Sequence, residues 1–361
     1  MKTKKVKISF FARLSLLIFI AVMVMYLAAT LSPTVADIIN SGISQQFRRI
    51  MASFGDIFPF SLFEFLLLLS PFLVLLVILR AIKRFQSGKA VSFIINLLAV
   101  VLVIFSGHTL ALGIGYKTTP IDEKMSLPES EVTVENLSSL LTALRDEVNS
   151  LADTLPRNND GVFTSSYSFD ELSDKISYSY DRLAEEYDMP LGFESTAKSV
   201  YFSRVMSYLR IGGIYTYVTG EANVNTEYPS YDTIFTAAHE MSHQRGVLRE
   251  DEANFMAYLI TSNSAEPELR YSAALNLYSY VASALYKTDA ERYREIASSL
   301  SPLAKADIQR SSAITQKYGD TIIGDLSERV NDFYLTSNGT DGTISYSQVV
   351  RLAVSYFEMK K

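Results

Sequence analysis

Cysteine and tryptophan are absent from this 361-residue chain, and histidine occurs only three times. Without cysteine neither a disulfide framework nor a thiolate metal site can form, so any bound metal must be held by His, Asp or Glu. Positive charge is also in deficit, with 33 Lys and Arg against 39 Asp and Glu. The deficit is unevenly spread: residues 1–113 hold 11 basic and 3 acidic side chains, net +8, whereas 114–361 hold 22 and 36, net −14. So acidic a segment repels phosphate backbones, and no nucleic-acid partner is expected.

What the first third has in excess is apolar length. Three stretches, 11–31, about 59–82 and about 91–113, are each long enough to cross a hydrocarbon core of roughly 30 Å as a helix. The first is too long for a signal-peptide apolar region and no small-residue cleavage site follows it, so it reads as a span. Lys2, Lys4, Lys5, Lys7 and Arg13 precede the first span, and Arg80, Lys83, Arg84 and Lys89 lie between the second and third. By the positive-inside bias both segments are cytoplasmic, which puts the connection from 32 to 58 and everything after 113 outside. Arg48 and Arg49 weaken that bias without reversing it. The expectation is a multi-pass protein of the cell membrane, with the lipid bilayer as one partner, a cytoplasmic N-terminus and an extracytoplasmic C-terminal part. The outer connection carries Val35, Ile38, Ile39, Ile43, Phe47, Ile50, Met51 and Phe54 at helical spacing. It either lies along the interface as an amphipathic helix or packs against the spans. Glu64, near the outer end of the second span, can snorkel, and Pro71 within it is expected to kink the helix. His108 reads as a structural histidine at the outer end of the third span.

Two domains are therefore expected: a membrane anchor over 1–113 and an outer domain over 114–361. After a polar linker, VENLSSLLTALRDEVNSLADTL and SFDELSDKISYSYDRLAEEY show apolar residues at three-and-four spacing and read as amphipathic helices. The Tyr-, Val- and Ile-rich run from 198 to 225, broken by Gly212, Gly213 and Gly220, reads as two or three strands. From 233 onward helices dominate again, ending in YSQVVRLAVSYFEMKK. The outer domain is thus mainly α, of α+β class, with a small β-sheet.

Two of the three histidines stand four apart in HEMSHQRG, residues 239–246. On a helix His239 and His243 share one face about 6 Å apart, close enough for both imidazoles to reach one ion. Glu240 sits between them, where a carboxylate can act as base on an activated water. The bland alternative is two solvated histidines, but Ile234, Phe235, Ala237 and Ala238 make the preceding turn apolar, which suits a buried helix. A catalytic zinc needs a third protein ligand, and Glu250, Asp251 and Glu252 follow closely. Helical periodicity puts Glu250, Ala253, Asn254 and Ala257 on one stripe, with small residues that permit close approach, and Glu252, Phe255, Met256 and Leu259 on another. Only six residues separate His243 from Glu250, so the turn must be tight, and Gly246 is placed to supply it. Glu252 stays open as the alternative third ligand.

HEMSH followed by an E-x-x-A-N stripe resembles the gluzincin branch of the zincin metallopeptidases. More narrowly, three spans followed by TGEANVN, AAHEMSHQRG and EDEANF look like an uncharacterised bacterial membrane family placed in that superfamily. The resemblance implies a zincin-like outer domain with zinc as cofactor, ligated by His239, His243 and Glu250, with Glu240 as the base. It gives Asn254 the role of orienting a ligand histidine. It also suggests that TGEANVN forms the edge strand that pairs with an extended substrate, lined by Glu221, Asn223 and Asn225, although a polar hairpin turn accounts for these residues equally well. Tyr258 and Tyr271 are candidates for steadying an oxyanion. Arg249 occupies the position of a third histidine in H-E-x-x-H-x-x-G-x-x-H, and a guanidinium cannot ligate zinc, so the metzincin pattern fails. The expected function is that of a membrane-anchored zinc metallopeptidase cutting a peptide or protein near the outer membrane surface. The alternatives are a catalytically inactive zincin-fold envelope protein acting in binding or assembly, and a zinc hydrolase of another amide such as a cell-wall cross-link.

Overall fold

A computed structural model describes residues 8–361 apart from 188, 190, 320 and 338–344. Lys2, Lys4, Lys5 and Lys7, which carry part of the topology expectation, lie outside the described residues. The chain divides into two compact units, one of Met1–Thr118 with Thr216–Gly220 and the other of Thr119–Tyr215 with Glu221–Lys361.

The first unit is helical. α1 (Phe10–Leu31), α4 (Leu62–Gln86) and the continuous helical stretch Ala90–Lys117 are long and apolar enough to cross a membrane. α1 opens on Ser9, whose side chain accepts from the Ala12 N–H, and α4 on Ser61, which caps Glu64 in the same way. α4 continues unbroken through Pro71. The third stretch begins as α5 (Ala90–His108), widens into a π-helix over Thr109–Gly113 and tightens into a 3₁₀ turn at Gly115–Lys117. This continuation carries the unit to Thr118 rather than closing it at 113. α1 packs on α5 through Phe19 and Phe105, with ring centroids 6.0 Å apart, and through a 2.6 Å hydrogen bond from Ser9 to Asn96.

Between α1 and α4, α2 (Pro33–Ile39) passes through a π-helix at Asn40–Ser44 into α3 (Gln45–Gly55). The burial here is inverted relative to a soluble helix: Ser44, Gln45, Arg48 and Ala52 are buried, while Ile38, Ile43, Ile50 and Phe54 are exposed. Arg48 donates to the Asn40 side chain at 3.0 Å and to the Ala111 carbonyl at 3.1 Å, so its charge is satisfied within the unit. His108 lies between Phe105 and Tyr217, with centroids 6.3 and 5.6 Å away.

The second unit begins with α6 (Ile121–Lys124), α7 (Val134–Ala152) and α8 (Phe169–Tyr187). α7 is capped by Thr133 and buries Leu137, Leu140, Leu141, Leu144, Val148 and Leu151, the three-and-four spacing that its sequence carries. Then come β1 (Ala197–Ser199), α9 (Ser203–Tyr208), β2 (Gly213–Thr216) and β3 (Glu221–Val224). The stretch holds three strands, within the two or three expected of it, but a short helix stands at 203–208. Ser203, Met206 and Ser207 are buried at three-and-four spacing, and that period winds a short helix. The three strands form one sheet in the order β1-β3-β2, with β1 parallel to β3 and Lys198 in register with Asn223. The remaining elements are α10 (Ser230–Gln244), α11 (Glu250–Ser262), α12 (Pro267–Thr288), α13 (Ala290–Ser298), α14 (Pro302–Gly319), α15 (Ile322–Ser337) and α16 (Ser345–Lys360). One continuous core joins α7, α8, α10, α11, α12 and α16, including Leu141, Ile176, Ile234, Met241, Phe255, Leu275 and Val354.

Candidate metal centre

The site is built at the junction of α10 and α11. α10 buries Ile234, Phe235, Ala237, Ala238 and Met241 against the core, and this fixes the rotation of the helix and points His239 and His243 the same way. Its end is anchored by the two residues after His243. Gln244 donates to Ser195 at 2.9 Å, and the buried Arg245 donates to the Phe193 and Ser195 carbonyls at 3.1 Å each while stacking over Tyr180.

α10 stops where Gly246 adopts φ 96°, with the Val247 N–H bonded to the Ser242 carbonyl and the Gly246 N–H to the His243 carbonyl, both at 3.0 Å. This is a Schellman turn, and it reverses the chain within the few residues available. The turn also carries the Val247 carbonyl back to His243 Nδ1, at 2.8 Å. With Nδ1 held there as donor, Nε2 is the free ligating nitrogen.

α11 starts at Glu250, and Ala253 and Ala257, both fully buried, let it lie close to α10. Glu250 Oε2 stands 3.3 Å from His239 Nε2 and Oε1 stands 3.5 Å from His243 Nε2. One ligand atom from each of the three residues lies within 4.8 Å of the others. These separations are longer than the ~2.7–2.9 Å of a charge-assisted hydrogen bond. They suit ligands arranged tetrahedrally about one ion at bond lengths of about 2.0–2.2 Å, which stand roughly 3.4 Å apart. The donor set, two neutral imidazole nitrogens and a carboxylate, is one that divalent zinc accepts. His239 Nδ1 is buried without a hydrogen-bond partner among the described residues, and Glu250, at 28 % side-chain exposure, is the most open of the three.

Glu252 is turned elsewhere. Its carboxylate accepts from Arg249 at 2.7 Å and from the Ile121 N–H at 3.0 Å, so of the two glutamates only Glu250 joins the histidines. Asn254 lies one turn beyond Glu250 and accepts from the Tyr280 hydroxyl at 3.4 Å; no hydrogen bond links it to either histidine among the described residues.

The expectation for TGEANVN needs correction. β3 is the central strand, flanked by β1 and β2, so it is no edge for a substrate. Glu221, Asn223 and Asn225 are buried in the sheet. Glu221 pairs with Lys198 at 2.8 Å, Asn223 bonds the Ile214 carbonyl at 3.4 Å, and Asn225 bonds Ser207 at 2.9 Å and the Ile211 carbonyl at 3.0 Å. The two tyrosines considered as oxyanion donors are also engaged: Tyr271 donates to Asp307 at 2.5 Å, and Tyr258 hydrogen-bonds Ser262.

The residues missed by sequence reasoning are those that hold Glu240. Its carboxylate is buried and receives the Tyr215 N–H of β2. A Cβ on Gly213 would lie 2.5 Å from Glu240 Cγ and 2.6 Å from its Oε1, closer than any real contact. The Gly212–Gly213 pair was visible in the sequence, but as a turn signal only. Gly213→Ala is therefore expected to displace Glu240 while leaving the metal donors in place; zinc content unchanged beside a loss of any Glu240-dependent activity is the outcome to measure.

The electrostatics are those of a coupled cluster. Burial raises the Glu240 carboxyl above its ordinary range, opposed by the two histidines. For Glu250 burial acts upward as well, but His243 and His239 outweigh it and hold the carboxyl well below the usual value. Burial lowers His243, yet Glu250 first and then Glu240 overcome it and lift the imidazole to about 9. A folded value above the unfolded 6.5 means that His243 stabilises the metal-free fold fully below pH 6.5 and loses that contribution as pH rises to about 9. Glu250, depressed below 4.5, contributes above pH 4.5 and loses its contribution as pH falls. Metal-free protein is thus expected to melt highest between pH 4.5 and 6.5 and lower toward pH 9. Zinc should reverse the alkaline part of that trend, because the metal must displace the His243 proton and therefore binds more tightly as pH rises. Thermal melts with chelator and with zinc at pH 6 and 9 measure both.

The geometry defines a candidate divalent-metal centre on a mainly helical chain that bears three apolar helices. The chain belongs to the family described as "Protein of unknown function (DUF3810)", which it matches over residues 38–354. The match takes in His239, Glu240, His243 and Glu250. No curated protein and no solved structure matches the chain.

Proposed function

We propose that this protein is a membrane-anchored, zinc-dependent metallopeptidase of zincin type, acting on peptide bonds outside the cytoplasm. The reading rests on one observation: His239, His243 and Glu250 present three donor atoms within 4.8 Å of one another, and a buried carboxylate, Glu240, stands on the same helix between the two histidines. Bound there, zinc would supply a Lewis acid and lower the pKa of a coordinated water toward about 7. His243 is kept in its ligating tautomer by the Val247 carbonyl. Glu240 takes the proton of the attacking water and returns it to the leaving nitrogen. Its raised proton affinity, caused by burial, suits a group that must accept a proton and then pass it on.

An extended peptide fits beside β2. That strand is an outer strand of the sheet and its Tyr215 N–H already meets Glu240, so a chain paired along it would bring its carbonyl groups to the base. The extracytoplasmic placement follows from the basic residues Arg80, Lys83, Arg84 and Lys89 between the second and third spans. The test is zinc analysis and peptide hydrolysis with the full chain and its Glu240→Gln variant. Hydrolysis that survives the exchange unchanged, or a full chain that binds no zinc, overturns the proposal; zinc binding without any hydrolysis leaves the inactive binding protein as the better description.

A further inference from the structure

α15 is turned inside out. Ile323, Leu326, Val330 and Phe333 recur at three-and-four spacing and are 60 %, 62 %, 61 % and 75 % exposed. In a water-soluble domain such a stripe faces the core. Here Gly324 and Leu335 are the buried positions among the described residues. At about 100° per residue they lie about 150° around the helix from the middle of the stripe. The rotation is fixed rather than free, because Arg210 pairs with Asp325 at 2.9 Å and with Glu328 at 2.8 Å, tying the charged face to the unit. Beside the start of α15 stands α9, joined to it by the 2.9 Å bond from Thr321 to the Tyr208 carbonyl. α9 and the two residues before it expose Tyr201, Phe202, Val205 and Tyr208.

We infer that α15 and α9 together form a membrane-docking face that lies in the headgroup region of a lipid bilayer. Three features favour lipid as the occupant. The chain carries three helices long and apolar enough to span a membrane, so a bilayer is the apolar phase always within its reach. Residues 216–220, a few residues after α9, belong to the unit that contains those helices, and Tyr217 donates to the Ile104 carbonyl of α5 at 3.1 Å. The chain that leaves α9 at Tyr208 thus enters, at Thr216, the unit that carries the apolar helices. Within that unit α3 shows the same inversion, with Ile50 and Phe54 outward and Gln45 and Arg48 inward. A helix whose apolar stripe lies in the interface, flanked by tyrosines, has the signature of an interfacial anchor. Since residues 114–361 carry a net charge of −14, the attraction is apolar burial and not charge, so docking should not weaken with salt.

The cysteine-free chain makes the experiment direct. Single-cysteine variants Leu326→Cys, Val330→Cys and Phe333→Cys, with Glu295→Cys as a solvent-exposed control, are labelled with an environment-sensitive dye in the full chain. The chain is then reconstituted in phosphatidylcholine vesicles containing lipids spin-labelled near the headgroup. Labels at 326, 330 and 333 are expected to lose most of their fluorescence to those lipids, at low and molar salt alike, and to resist aqueous iodide, whereas the label at 295 responds only to iodide. Labels that iodide reaches as freely as at 295 overturn the inference. So do labels shielded from iodide but untouched by the lipids, since a second copy of the chain would then cover the stripe. Circular dichroism of each variant separates a lost fold from a lost contact. The inference is independent of the metal centre and survives if that reading fails.

Discussion

Glu240→Gln is expected to leave zinc bound at the level of the unaltered chain while lowering turnover by about 10²–10⁴-fold, the range over which a positioned base contributes. The two halves of this result have separate physical origins. Metal retention follows because Glu240 is no part of the cluster formed by His239, His243 and Glu250, whose donor atoms lie within 4.8 Å of one another. The loss of turnover follows because an amide cannot take a proton from water. The exchange keeps shape, so the tight fit of the side chain against Gly213 is preserved and the Tyr215 N–H still finds a carbonyl oxygen. It also removes a buried negative charge whose proton affinity is raised by burial, so the variant should be no less stable than the parent. A variant that lost both zinc and turnover would point to collapse of the site rather than to a missing base. The informative readout is therefore the pair of measurements, metal content and rate, made on the same preparation.

The most local chemistry was the most legible. His239 and His243 converge because the helical repeat leaves them no other choice once Ile234, Phe235 and Met241 bury one side of α10. Gly246 could be assigned to the turn from its position alone, and it adopts the positive φ that such a turn needs. The periodicity of α11 separated the Glu250 stripe from the Glu252 stripe but left the ligand undecided. What turns Glu252 away from the histidines is Arg249 and the Ile121 N–H, and the latter lies 131 positions away in sequence. The same limit explains the strand order. The resemblance suggested an edge at TGEANVN, and nothing in those residues themselves reports β1, a strand that joins it in parallel from more than twenty residues earlier. Asn254 lay on the stripe shared with Glu250, as read, but Tyr280 of α12 supplies its partner. In α15 and α3 the spacing of apolar residues marks a helix without telling which way the apolar face turns. That choice depends on whether water or lipid lies outside, and a periodicity carries no information about the solvent.

The contrast between Glu250 and Glu252 gives the second large effect. Glu250→Ala is expected to weaken zinc binding by more than ~100-fold, since loss of a residue that merely orients a ligand already costs about 10–100-fold. With the carboxylate gone, the largest of the features that lift His243 is also removed and only Glu240 and the Val247 carbonyl remain, so the metal-free variant should show a smaller alkaline decline in stability along with its loss of zinc. Glu252→Ala should do the reverse. Zinc should remain, because the Glu252 carboxylate accepts from Arg249 at 2.7 Å and Ile121 at 3.0 Å and not from either histidine. Stability should fall, because Arg249 and the buried Ile121 N–H both lose their acceptor. Breaking a fully buried pair costs about 3–5 kcal/mol. Arg249 is 21 % exposed and can turn toward water, which brings the expected loss to about 2 kcal/mol. Two glutamates of one helix are thus expected to separate into a ligand and a brace. Metal analysis beside chemical denaturation of the two variants reads that separation, and zinc lost from Glu252→Ala but kept by Glu250→Ala would reverse the assignment.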